Sequence, residues 1–287
     1  MNMRNQSYDS FGNTFKRGFM RMPVAIRTII AINAVVFVIQ LLVGPSLNAW
    51  IKLNFGFVPN FPTIYLEPWR IITYGFLHGD FFHFLFNMLW LWWMGRAVEE
   101  TIGPRSFLTI YFSALVAGAV FHFSSAFIFE YSLVIGASAA VNGIMVAFAV
   151  LFPRTPIMLL LLPPIEARYL VAGLVAIDVL LLNSGSNVAH FAHIGGASMG
   201  YLLTTAHKSG TDLSKLIRYF EYLFGRLKPS PSSKPKNKNM HIVKDVEIVE
   251  EVDQNDLDEI LEKISKSGYD ALTKEEKQKL FELSKKN

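Results

Sequence analysis

The chain has no cysteine among its 287 residues, which excludes disulfides, thiolate-held metals and cysteine nucleophiles. Charge is scarce too: 17% of residues are charged, where an ordinary soluble protein carries roughly a quarter. The charges that exist crowd into the first 30 residues and the stretch after about 207, leaving the middle nearly bare. The net charge of +4 is too mild and too local to suggest a nucleic-acid partner. No apolar core of signal-peptide length and no small-residue cleavage site precede the first apolar run. Residues 1–22 are therefore expected to be retained as a polar, basic cytoplasmic segment.

What the sequence has in abundance is apolar surface: 52% hydrophobic residues, 14% aromatic, and a mean hydropathy of +0.32. Apolar runs predict six membrane-spanning helices, at about 24–44, 81–98, 106–128, 136–152, 165–183 and 188–206. Arg4, Lys16, Arg17, Arg21 and Arg27 precede or open the first, Arg96 and Arg105 flank the second and third, and Arg154 and Arg168 flank the fourth and fifth. The positive-inside rule places all of these, and both termini, in the cytoplasm. Residues 45 to about 80, with Pro59, Pro62 and Pro68 among them and several aromatics, form an outer connection expected to fold into short interfacial elements. NSGSN, 183–187, is expected to be a short outer loop, and IMLLLL, 157–162, part of a cytoplasmic turn.

The expected organisation is a cytoplasmic segment at 1–22 and a six-helix membrane domain at 23–207. An amphipathic interfacial helix at 208–228, a linker at 229–252 and a short helical cytoplasmic tail at 253–287 follow. The interfacial helix sets Leu216, Ile217, Phe220, Leu223, Phe224 and Leu227 at helical spacing beside Lys215, Arg218 and Arg226. In the tail, Gly268 ends one helix and Thr273 with Glu276 forms a capping box for the next. The fold class is an all-α membrane protein, a six-helix bundle with a small helical appendage.

Polar side chains inside apolar spans cost free energy unless partnered, so they point to function. Taken alone, each is better explained by helix-bridging contacts. Three groups, however, share one depth below the outer face: His83 and Asn87 on the second span, Ser138 opening the fourth, and His193 on the sixth. A serine becomes a nucleophile when a base takes its proton, and histidine is the base available at that depth. No Asp or Glu is expected at that level, which favours a dyad over a triad. Asp178 falls nearer the middle of the fifth span; it is a weaker candidate for a third member and is assigned a structural role. His190, on a neighbouring face and nearer the surface, is the rival base. His78 is expected to order the loop or a water, and His122 to bridge helices. Gly196 and Gly200 give the sixth span a small face, and Gly136 with Ala140 on the fourth could match it.

With these residues in place the chain resembles the rhomboid family of intramembrane serine proteases over about residues 20–207. The markers are Trp69–Arg70 in the first outer connection, HFLFN on the second span, GAS before the fourth and AHIGGASMG on the sixth. The resemblance implies Ser138 as nucleophile, His193 as general base, and His83 and Asn87 in the oxyanion hole. It also implies Trp69 and Arg70 as braces of the first connection, and Glu99 as a family acid just past the second span. The chain departs from the family's GxSG pattern at Ala139, which follows the serine. The implied activity is endoproteolysis of membrane-anchored proteins in or next to a transmembrane segment, in a bacterial inner membrane, with no cofactor and no metal. The implied partners are transmembrane substrates and the lipid bilayer, and the sequence assigns no partner to the tail. Two rivals stand beside this: a catalytically inactive relative that binds client transmembrane helices, supported by Ala139, and an unrelated transporter. Transport requires polar groups continuing to the cytoplasmic side, and below the dyad the spans are largely apolar.

Overall fold

The structure, a computed structural model, describes residues 18–127, 132–159, 163–182, 189–227, 254–273, 275–277 and 280. The N-terminal segment through residue 17, the 183–187 loop and the linker at 229–252 lie outside the described residues. The chain divides into two compact units, Met1–Pro229 and Ser230–Asn287.

In the first unit, helices form where the apolar runs predict them. They are α1 (Val24–Leu42), α5 (Phe81–Ile102), α6 (Pro104–Ser125), α7 (Ser138–Leu151), α8 (Ala167–Leu180) and α9 (His190–Lys208). Between α1 and α5 lie α2 (Gly44–Phe55), α3 (Phe61–Leu66), α4 (Arg70–Thr73) and a 3-10 turn at Tyr74–Phe76. Among the described residues α1 and α6 are long and apolar enough to cross a membrane, and α7 is apolar but shorter. The expected all-α character is amended at one point. Pro156–Ile157 pairs antiparallel with Ile165–Glu166, so a two-stranded ladder closes the joint between α7 and α8. Backbone groups near a helix end have no partner within the helix, and this ladder satisfies some of them.

The helix ends have identifiable causes. Pro23 precedes α1 and offers no side-chain cap. The carboxylate of Glu99, buried on α5, takes that role by accepting from the Ala25 N–H at 2.9 Å and the Ile26 N–H at 2.8 Å. A negative charge at a helix N-terminus is favourable on both counts, hydrogen bonds and dipole. Asp80 caps α5, accepting from the His83 N–H at 2.9 Å, and these backbone bonds hold its carboxyl below the usual range. Trp69 and Arg70 brace the connection as expected. Arg70, buried, donates to the carbonyls of Leu53 and Gly56 and pairs with Glu67, while Trp69 Nε1 donates to the Asn54 carbonyl at 3.3 Å. The carbonyls left open at the end of α2 are thereby satisfied.

α7 is the inner helix, packed against α5, α6, α8 and α9. Its closest approach is to α9. A Cβ built on Gly196 would lie 1.9 Å from the Ala139 carbonyl oxygen, and one on Gly200 would lie 2.2 Å from the Gly143 oxygen. Only glycine permits that contact. The small face matching α9 is therefore Ala139 and Gly143, which corrects the expected Gly136 and Ala140. Gly136 precedes the helix, has φ +128, and turns its open side to His83.

Further elements follow. α10 (Ser214–Leu227) is capped by Asp212, which accepts from the Ser214 N–H and Oγ–H and pairs with Arg218 at 2.5 Å. Arg105 at the start of α6 pairs with Glu221 of α10 at 3.1 Å, and Thr109 donates to the Leu213 carbonyl at 2.8 Å. In the second unit, α11 (Gln254–Ser267) ends at Gly268, whose φ is +79. There Thr273 and Glu276 cap one another reciprocally: the Thr273 N–H donates to Glu276 at 2.7 Å, and the Glu276 N–H donates to the Thr273 hydroxyl at 3.3 Å.

Candidate active site

The segment leading into α7 is fixed before the site is reached. Phe57 and Val134 exchange two backbone hydrogen bonds of 2.9 Å, and the Gly136 N–H donates to the Tyr74 carbonyl at 2.9 Å. His122 of α6 bonds the Ser132 carbonyl through Nε2 at 3.1 Å, so it ties its helix to the segment before α7 rather than to another helix as expected. Tyr74, fully buried, donates its hydroxyl to the Leu115 carbonyl at 2.8 Å. Residues 132–137 are thus tied to three different elements and deliver Ser138 to the first turn of α7. Backbone N–H groups of a first turn have no helical acceptor and stay available.

His193 Nε2 lies 2.8 Å from Ser138 Oγ. The other ring nitrogen, Nδ1, lies 2.9 Å from Asp178 Oδ1, and His190 Nδ1 lies 2.6 Å from the same oxygen. An ionised carboxylate only accepts, so both Nδ1 atoms carry protons and His193 Nε2 presents its lone pair to the serine hydroxyl. This is the geometry of a nucleophile with its base. It also corrects one expectation. An acid does stand at this level, because Asp178 lies two residues before the end of α8 rather than near its middle. His190 is bonded to that acid, and it is His193 that meets the serine. Asp178, His190 and His193 are also grouped as a cation would require. Their Nδ1–Oδ1 distances, however, are those of hydrogen bonds, shorter than the ~3.4 Å that two donors of a tetrahedral zinc keep.

A cavity of about 530 Å³ opens over this pair, lined by Gly79, Asp80, His83, Leu133, Val134, Ile135, Ser138, Ala189 and His193. The Gly79 N–H donates to His83 Nδ1 at 3.3 Å, so in the neutral ring the proton sits on Nε2. That Nε2 lies beside Gly136, where an added Cβ would come within 2.6 Å of it and 3.6 Å of Ser138 Oγ. His83 therefore offers a donor next to the serine. Asn87 lies one turn further along α5, buried, with its amide donating to the His83 carbonyl at 2.7 Å. It is not among the cavity-lining residues.

His78 sits in the turn ahead of α5. It is buried against the rings of Phe37, Phe84 and His83, and burial pushes its pKa down to about 3. Its backbone is clamped by Gln40, whose side chain accepts from the His78 N–H at 3.0 Å and donates to its carbonyl at 3.2 Å. The methyl of Ala139 faces α6, where Gly118 makes room for it: a Cβ built on Gly118 would lie 2.6 Å from that methyl. The departure from GxSG is absorbed between helices, and Ala139 is not among the cavity-lining residues. Sequence reasoning misjudged the depth of Asp178 and did not foresee its bonds to His190 and His193. The available signal was a lone acid in an apolar span, which calls for a partner.

Comparison with known proteins agrees with these motifs. A family model described as the Rhomboid domain matches residues 65–208, and one described as a family of unknown function (DUF6576) matches residues 250–286. The chain is 29% identical over 183 residues to RHOMBOID-like protein 12, mitochondrial, of Arabidopsis thaliana, covering 56% of this chain and 54% of that one. It is 35% identical over 96 residues to rhomboid protease GlpG of Klebsiella pneumoniae, a third of each chain. To rhomboid protease GluP of Bacillus subtilis it is 30% identical over 180 residues, 62% of this chain and 33% of that one. The chain spans less than two thirds of the length of these relatives. The Rhomboid model covers half of the chain and contains every residue of the site just described, and on that ground the chain belongs to the rhomboid family.

Proposed function

We propose that this chain is an intramembrane serine endopeptidase that cleaves membrane-anchored proteins in or beside a transmembrane segment. The observation that carries the reading is the 2.8 Å contact between Ser138 Oγ and His193 Nε2 beneath an open cavity. Ser138 attacks the scissile carbonyl while His193 Nε2 takes its proton. The oxyanion that forms is met by His83 Nε2–H and the Ser138 backbone N–H, and the Asn87 amide, with one N–H kept on the His83 carbonyl, turns its other N–H toward it as the substrate carbonyl arrives. His193 returns the proton to the leaving amine, and water hydrolyses the acyl-enzyme.

In the membrane the six helices α1, α5, α6, α7, α8 and α9 are the spans, with both termini in the cytoplasm of a bacterial cell and α10 lying on the inner leaflet. The proposed domain boundaries are the ones read from the sequence, with the tail from 253 as a separate cytoplasmic piece. At 1.5 Å per residue the 14 residues of α7 reach ~21 Å, short of a ~30 Å hydrocarbon core. Ser138 at its outer end is therefore sunk below the surface, and the cavity gives water a path to it. The methyl of Ala139, directed to Gly118 and away from the cavity, removes the ground for an inactive client-binding protein.

The test is covalent labelling with a fluorophosphonate, alongside cleavage of a reporter transmembrane protein in proteoliposomes. Labelling and cleavage are expected in the unaltered chain and absent in Ser138→Ala. Labelling that persists in Ser138→Ala would sink the assignment.

A further inference from the structure

We infer that Asp178 is a positioning residue for the general base, shared between two histidines, so that it stands behind the Ser138–His193 dyad as a third member. The inference rests on the protease reading above and extends it to a residue on another helix.

A neutral imidazole has two tautomers, and only the one with a bare Nε2 can accept the Ser138 proton. His193 has no means of choosing between them by itself. The Asp178 carboxylate, 2.9 Å from Nδ1, accepts and cannot donate, so it selects the competent form and fixes the plane of the ring. When His193 takes the serine proton it becomes an imidazolium. Asp178 is then its counter-charge, its side chain 13% exposed, where little water screens the pair.

His190 is what makes the carboxylate rigid. It precedes His193 by three residues on α9, so both rings leave the same face of the helix. Its Nδ1–H bonds the same Oδ1 at 2.6 Å, and its side chain is 8% exposed. The carboxylate oxygen therefore sits between two donors from one helix face, and its rotamer is set before substrate arrives. The contact joins the last turn of α8 to the first turn of α9. A structural bolt alone would need one of the two histidines. The second one places the acid behind the base.

Asp178 does not line the cavity, so its loss should lower turnover and leave substrate binding alone. Asp178→Asn keeps the size of the side chain and an acceptor oxygen for both histidines but removes the charge that steadies the His193 imidazolium. The expected result is a fall in kcat on the order of 100-fold, the low end of what a positioned proton-transfer group contributes, with KM within twofold. Asp178→Glu should recover at least tenfold of that loss. Asp178→Asn turning over within threefold of the unaltered chain would overturn the inference. Should the variants fail to fold, nitrogen NMR of the unaltered, histidine-labelled protein decides it. Protonated Nδ1 and bare Nε2 on His193 are expected, and the opposite tautomer overturns it. If the unaltered chain shows no Ser138-dependent labelling, the protease reading fails by itself, and the tautomer measurement still decides the Asp178 contact.

Discussion

Gly196→Ala adds a single methyl and should disable the site without touching any reacting group. The new Cβ would start 1.9 Å from the Ala139 carbonyl oxygen, where ordinary contact begins at 3.4 Å. The obstacle is backbone, so no side chain can swing aside, and α9 must retreat from α7 by about 1.5 Å, the difference between those two distances. His193 lies three residues earlier on the same helix and moves with it. Its 2.8 Å contact to Ser138 would stretch beyond 4 Å, past the reach of a hydrogen bond. A misplacement of ~1 Å in a catalytic group costs on the order of 100-fold in rate, and overpacking adds ~1–3 kcal/mol of instability. The assay is reporter cleavage in proteoliposomes, with fluorophosphonate labelling rate as a second readout and a thermal melt as control. A folded Gly196→Ala protein that cleaves at the unaltered rate would refute the claim that this glycine sets the Ser138–His193 distance.

Two further outcomes follow from the site and its surroundings. His83→Ala removes the cavity-facing Nε2–H and should lower kcat by on the order of 100-fold with little change in thermal midpoint, an unchanged kcat counting against the oxyanion role. His78, in the turn ahead of α5, has its pKa lowered from 6.5 to about 3 by burial, so the fold holds it neutral. Its contribution is whole above pH 6.5 and is lost as pH falls towards 3, with on the order of 1 kcal/mol gone by pH 5.5. The thermal midpoint of the unaltered chain should therefore drop more steeply between pH 7 and 5 than that of His78→Leu, and parallel curves would contradict the buried, neutral assignment.

The helix positions were legible because an apolar run bounded by arginines is a strong signal, and each of the six falls within a few residues of its expected place. Ser138, His193 and His83 were legible because polar groups inside apolar runs need a reason, and shared depth supplied one. Asp178 was misjudged because depth was counted along an expected span of 165–183, whereas α8 ends at Leu180, which lifts the acid to the level of the histidines. Gly136 was misassigned because an i,i+4 argument holds only inside a helix, and α7 begins two residues later. The pairing of Phe57 with Val134 and the Gln40 clamp on His78 join distant segments through the backbone, where side-chain identity says little.

The cap on α1 bears on how the chain is made. The acceptor for the Ala25 and Ile26 N–H groups belongs to Glu99, on the second long helix to be synthesised. Until that helix arrives, the start of α1 has two donors with only water or lipid headgroups to meet them. The first helix therefore gains its final anchorage when the second docks beside it, and the two mature as a pair. A lesion at Glu99 would accordingly show itself in biogenesis, as an early intermediate accessible to proteases, while the chemistry of Ser138 in the molecules that escaped would be spared.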